Sequence, residues 1–159
     1  MSQTDSLNMK TWIIGYGNPG RQDDGIGPLF ITQLAQRLPE HLSPYISLQE
    51  NYQLTVEDAL EACDYQRIIF VDASLNSAEP FSYQAVNTTA SGEFGSHSIN
   101  PAGLMQLCKT LYQHEPEACI LGIRGYQFDA FEEQLSSQAR SNVEAALEFL
   151  LATLETHYA

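Results

Sequence analysis

Residues 12–27 place an apolar run, a glycine turn, two adjacent carboxylates and a helix start in one continuous stretch. The run is Trp12-Ile13-Ile14, the turn is Gly15-Tyr16-Gly17-Asn18-Pro19-Gly20, and the acids are Asp23 and Asp24. From Ile26 the apolar residues recur as Leu29, Phe30, Leu34 and Leu38, the spacing of one helical face. The pattern predicts a strand, a turn and a helix, with negative charge held at the turn. Glycine suits such a turn because a residue without Cβ takes positive φ and lets another backbone approach closely. Two acids beside a helix N-terminus also interact favourably with the helix dipole, and together they make a cation or proton-transfer site.

Gly15, Gly17 and Gly20 match Gly-x-Gly-x-x-Gly, the literal form of a dinucleotide fingerprint. That fingerprint turns helix-end N–H groups towards an anionic pyrophosphate, and Asp23 and Asp24 would set like charge against it. The ribose-binding acid expected about 20 residues further on is missing, since Glu50 comes too late. A nucleotide-binding domain built on this turn is the weaker alternative.

The 159 residues fit one domain, with 20 acidic against 7 basic residues and a net charge of −13. Counterion-release binding to nucleic acid needs clustered Lys and Arg, which this chain lacks. An anionic membrane surface is disfavoured for the same reason, while a cationic, metal-bearing or basic-tailed partner fits. Cys63, Cys108 and Cys119 form no C-x-x-C pair and sit in apolar stretches, so they read as buried reduced thiols. No apolar run approaches a membrane span and the first ten residues lack a signal-peptide core, so the expectation is a cytoplasmic protein.

Residues 1–10 read as a flexible N-terminal segment and 11–156 as a single domain. After the first strand (about 11–16) and helix (about 26–38), Tyr45–Glu50 alternates as a strand and Thr55-Val56-Glu57-Asp58 opens a second helix in capping-box fashion. Arg67–Asp72 is a continuous apolar run of the kind buried on both faces of a parallel sheet. Phe81–Val86 is a further strand at an edge, and Asn87–His97 a loop. Asn100-Pro101 reads as N-cap and first residue of a helix to about Gln113. Ala118–Ile123 is the last strand, and Ser136 caps a final amphipathic helix. This order predicts an α/β fold of the phosphorylase/hydrolase-like type, a three-layer α/β/α arrangement with a mainly parallel twisted sheet of about five strands.

In such sheets ligands bind outside the carboxyl ends of the strands. Asp24 follows the first strand, Asp72 ends the run Ile68–Val71, and His97 lies in the loop before the Pro101 helix. Two carboxylates and an imidazole from three loops can face a first-row divalent metal and leave positions open. Taken singly, Asp24 also reads as a helix-end acid, Asp72 as a turn-former and His97 as an exposed loop histidine. Ser96 or Ser98 with His97 does not make a Ser-His-Asp triad, because adjacent residues rarely aim at each other and no nucleophile elbow is present.

These motifs in combination resemble the hydrogenase maturation endopeptidases, which remove a C-terminal extension from the large subunit of nickel–iron hydrogenases. The resemblance runs through the strand, G-x-G-N and D-[DE]-G-x-G over Ile13–Gly27, the strand-end Asp72-Ala73, the segment Gly95-Ser96-His97-Ser98 before the Pro101 helix, and the last strand and helix. It covers Thr11 to Leu154. It implies an endopeptidase of the aspartic type, a hydrolase, whose groove at the strand ends holds three metal-contacting side chains. Carried over by motif these are Asp24, Asp72 and His97, with Asp24 or Asp72 as general base or the metal activating water. Asp24 stands where some members carry Glu, one methylene longer. Asp23 is assigned to shaping the turn, so its amide variant should be the milder of the pair. The implied partner is a hydrogenase large-subunit precursor that carries its own nickel, processed by a monomer needing neither nucleic acid nor membrane. Gly17-Asn18-Pro19-Gly20 also resembles the opening of bacterial peptidyl-tRNA hydrolases. The histidine that follows there is absent from Arg21-Gln22-Asp23-Asp24, and the charge is wrong for tRNA.

Overall fold

The computed structural model describes residues 9–87 and 99–159. Five strands, β1 (Thr11–Tyr16), β2 (Ile46–Asn51), β3 (Arg67–Ser74), β4 (Phe81–Ala85) and β5 (Glu117–Arg124), form one sheet in the order β2-β1-β3-β5-β4. The helices are α1 (Ile26–Arg37), α2 (Asp58–Glu61), α3 (Pro101–Tyr112) and α4 (Ser137–His157). All pairings are parallel except β4 against β5. Only residues 75–80 connect β3 to β4, whereas a parallel return needs a crossover of a dozen residues or more. The short connection therefore reverses the chain and leaves β4 as an antiparallel edge.

Alternation along the central strands builds two cores. Ile13, Ile69, Val71, Leu121 and Ile123 face α1 and α4 and pack on Phe30, Leu34, Val143, Leu147 and Leu150. Trp12, Ile14, Ile68 and Phe70 face the other way, onto Ala59, Leu104, Met105 and Cys108. Each fully buried side chain of this size stabilises the fold by roughly 1.5–3 kcal/mol relative to exposure, so the three layers are held from both faces of β1 and β3. This is the α/β/α arrangement expected from the chain pattern.

The caps set where the helices begin. The Asn100 side chain accepts from the Gly103 N–H at 2.8 Å and Pro101 occupies the first turn of α3. The Ser136 hydroxyl accepts from the Ala139 N–H at 3.3 Å at the start of α4. Asp58 accepts from the Thr55 N–H at 2.8 Å, the reciprocal half of the expected capping box, although α2 spans only Asp58–Glu61 before a 3-10 turn. No helix among the described residues is long and apolar enough to cross a membrane. Cys63, Cys108 and Cys119 are free; only Cys108 is fully buried, the other two being partly exposed.

Candidate active site at the carboxyl edge of the sheet

The chain leaves β1 at Tyr16 and enters α1 at Ile26 through a 3-10 turn at Gln22–Gly25. Two glycines allow this turn to press on the strand. Gly17 has φ +143°, and a Cβ there would lie 2.1 Å from the Asp24 carbonyl oxygen. A Cβ on Gly27 would meet the Tyr16 carbonyl at 2.5 Å and the Val71 carbonyl at 2.9 Å. The glycines serve close packing of the turn against β1 and β3 and thereby fix where Asp24 stands. Gly17→Ala should cost about 3 kcal/mol, from a disfavoured φ and a backbone clash together, and thermal melting would register it. A variant that melts with the wild type would show that this close approach does not hold the turn.

Asp24 is tethered at the turn, its Oδ2 accepting from the Asn18 N–H at 2.9 Å. Asp72 projects from β3, paired in register with Gly122 of β5. The two acids meet at this edge closely enough that the Asp24 charge acts on Asp72. Burial first, and Asp24 second, push the Asp72 carboxyl up to about 7 from the ordinary 3.8, with the Ala73 N–H and the Tyr16 hydroxyl tempering the rise. Tyr16, at the end of β1, donates to Asp72, and its own phenol is raised by burial and then by that carboxylate. A row Tyr16–Asp72–Asp24 thus spans the ends of β1 and β3. Tyr16 was not among the residues singled out from sequence, because a phenol closing an apolar strand reads as core.

Asp23 turns the other way. It is fully buried and accepts from the Tyr126 N–H at 2.8 Å, the Gln127 N–H at 3.0 Å, and the Ser136 N–H and hydroxyl at 2.8 Å each. Burial raises its pKa, but these hydrogen bonds outweigh it and hold the carboxyl below the usual range. The neighbouring backbone follows the same path, with Asp23 N–H donating to the Gln127 carbonyl at 2.8 Å and Gln22 N–H to the Glu132 carbonyl at 2.7 Å. Adjacent acids in sequence therefore do different things: Asp23 ties the turn to the loop before α4, and Asp24 is left to the site.

His97 lies outside the described residues. Among the described residues no group of three or more His, Cys, Asp or Glu side chains is placed to hold a metal. The pair Asp24 and Asp72 offers hard oxygen donors without thiolate, a set that suits a borderline or hard dication presented with other ligands.

The fold and its edge site define a class: a doubly covered, mainly parallel sheet with paired carboxylates at its carboxyl edge. No family model and no curated protein matches the chain. Solved structures do match it. The hydrogenase maturating endopeptidase HybD from E. coli superposes with a TM-score of 0.72 at 18% identity, over 93% of each chain. The nickel–iron hydrogenase maturation protease HycI from Thermococcus kodakarensis KOD1 gives 0.71 at 18% identity, over 92% of this chain and 93% of its own. The hydrogenase 2 maturation peptidase from a Thaumarchaeota archaeon gives 0.64 at 20% identity, over 91% and 97%. The chain has the fold of the hydrogenase maturation proteases across nearly its whole length.

Proposed function

We propose that the protein is an endopeptidase that removes the C-terminal extension of a nickel–iron hydrogenase large-subunit precursor after nickel insertion. The observation that carries this reading is the coupled pair Asp24 and Asp72 at the carboxyl edge of a sheet with the fold of the maturation proteases. Nickel enters as part of the substrate. A site with two carboxylates, together with His97 from the family resemblance, is a modest trap for free metal but a good partner for nickel already held by the precursor. The contact distinguishes loaded from unloaded precursor and orients the scissile peptide, a use of remote binding energy.

Asp72 is the general base in this scheme. With a carboxyl near neutrality it takes a proton from water as the oxygen attacks the scissile carbonyl carbon, then returns that proton to the departing amide nitrogen. Asp24 sets the strength of that base through its charge and faces the nickel. The substrate's nickel supplies polarisation where it is bound. The reading is that of an aspartic-type peptidase, in a protein expected in the cytoplasm as a monomer.

Incubation of the pure protein with nickel-loaded and nickel-free precursor tests this. Mass spectrometry should show loss of the C-terminal segment from the loaded form alone. A stable complex without cleavage would make the protein a binding module instead. The pH profile follows from Asp72. The base form of the free protein grows as pH rises through about 7, so kcat/KM for cleavage, which reports the free enzyme, should rise across that range. Asp24→Asn removes one of the two causes that raise the Asp72 pKa, so the residual activity of that variant should inflect at lower pH. An inflection that stays in place would break the coupling between the two acids.

A further inference from the structure

Two thiols from distant parts of the chain meet at the carbonyl of Ala59. That residue lies on the short helix α2 and is fully buried, as is Ala62 one turn on. Small side chains at both positions let α3 close in, bringing Leu104 and Cys108 into the same buried cluster. The Cys108 thiol donates to the Ala59 carbonyl at 3.7 Å. Cys63, on the 3-10 turn Ala62–Asp64 that continues α2, donates to the same oxygen at 3.5 Å. Sulfurs that share one acceptor at these distances are neighbours.

The two are not equivalent. Cys108 is fully buried, and burial first and Cys63 second push its thiol up to about 11, so it stays protonated in the reduced protein. Cys63 is partly exposed, so a small solute reaches its sulfur first. The third cysteine, Cys119, is also partly exposed but stands on the other face of the sheet. It is in register with Ile69 of β3, whose side chain packs towards α1 and α4, whereas Cys108 belongs to the opposite core. One buried thiol beside one accessible thiol, with the third held apart, is the arrangement of a resolving and an attacking cysteine.

We propose that Cys63 and Cys108 form a reversible dithiol–disulfide pair, with Cys63 as the entry thiol and Cys108 as the resolving one. The oxidant is a low-molecular-weight disulfide, RS–SR. The Cys63 thiolate attacks one of its sulfurs and expels RS⁻, which leaves a mixed disulfide on Cys63. Cys108 then gives up its proton to solvent, and its sulfur attacks Cys63 Sγ and expels the second RS⁻. Overall the two protein thiols lose two electrons and two protons, and RS–SR becomes two RSH. Closing the S–S bond to about 2.05 Å requires each sulfur to leave the Ala59 carbonyl and turn towards the other. The bridge joins α3 to the turn after α2 and closes residues 63–108 into a ring that contains β3 and Asp72. It is independent of the endopeptidase reading.

The test places the folded, full-length protein in oxidised and reduced glutathione at mildly alkaline pH, then quenches it in acid for mass spectrometry and peptide mapping. A flexible tether gives a partner thiol an effective concentration in about the millimolar range, and neighbours held by a fold exceed it. In millimolar glutathione the internal bridge should therefore outnumber the mixed disulfide on Cys63 by about tenfold or more. Peptide mapping should join Cys63 to Cys108 and leave Cys119 out of the bridge. Circular dichroism of the oxidised protein should match that of the reduced protein. Cys63→Ser, at a partly exposed position, should fold, form no bridge and leave Cys108 unmodified. Glutathione that stays on Cys63, a bridge to Cys119, or no internal bridge at all overturns the proposal. So does a bridge that forms only in denaturant. Glutathione on Cys108 of folded Cys63→Ser, at the rate of wild-type bridging, overturns it as well, because the oxidant would then not need Cys63.

Discussion

Replacing Asp72 by Asn should lower processing by on the order of 10²-fold or more and, at pH 8, make the protein more stable than the wild type. The activity loss follows from removing the base. The gain follows from linkage. The folded state holds a proton on Asp72 up to about 7, whereas the unfolded chain releases it near 3.8. Between those values the folded state binds more protons, so this group's contribution is fully present below about pH 4 and is lost as pH rises through 7. Above that range the wild type keeps a half-buried charge beside Asp24. Asn has nearly the same shape and carries no charge; its carbonyl oxygen can accept from the Ala73 N–H, and the Tyr16 hydroxyl can either donate to that oxygen or accept from the amide. The difference should be on the order of 1–3 kcal/mol at pH 8, discounted for the partial exposure of the site, should shrink steadily as pH falls, and should vanish only below about pH 4. Paired melting curves of variant and wild type at several pH values give the difference directly and cancel the general effect of a charge of −13. A variant that cleaves at the wild-type rate removes Asp72 from the chemistry. One that is destabilised equally at pH 5 and pH 8 makes it a structural acid.

Such a trade is expected where a site is kept at the expense of the fold. It also explains why Asp72 was visible in sequence at all. Ile68–Val71 is a continuous apolar run, and a carboxylate at its end has no packing reason to be there. Strand β1, α1 and their glycine turn were legible for a related reason. The close approach of Gly17 and Gly27 to backbone carbonyls leaves no room for any side chain, so the requirement is written in residue type. The Asn100-Pro101 and Ser136 caps are local chemistry and stood out likewise. The placement of Asp24 and Asp72 at one sheet edge needed only the strand order and the rule that strand ends gather ligands.

What sequence did not disclose depends on distant partners. Tyr16 donates to Asp72 across neighbouring strands, yet a tyrosine after Ile13-Ile14 looks like another core residue. The direction of β4 follows from the brevity of residues 75–80, which only the finished sheet order turns into an antiparallel pairing. His97, the third member of the expected site, lies outside the described residues, and its part rests on the family resemblance.

Asp23 is the larger lesson: sequence assigns it to shaping the turn and makes Asp23→Asn the milder change for processing, while its surroundings put the cost of that change into stability. Three of its four donors are backbone N–H groups, at Tyr126, Gln127 and Ser136, and a backbone N–H leaves no mark on residue identity. Asn cannot reproduce the arrangement. One carboxylate oxygen receives three donors and the other receives one, so the amide NH₂ must face at least one N–H in either orientation. The variant loses the charge on the remaining bonds and leaves a buried donor without an acceptor. The expected cost is about 2–4 kcal/mol of stability, with Asp23→Ala worse. The pH dependence has the opposite sign to that of Asp72. The Asp23 pKa is depressed on folding, so its contribution is present above about pH 4 and disappears as pH falls through the folded value. Melting curves should therefore show the largest gap between wild type and Asp23→Asn at neutral pH, closing in acid. At low temperature, cleavage per folded molecule should remain near wild type, because Asp23 faces the loop before α4 and not the paired acids. If Asp23→Asn melts normally but no longer cleaves, the acid belongs to the chemistry and the division of labour between Asp23 and Asp24 is wrong.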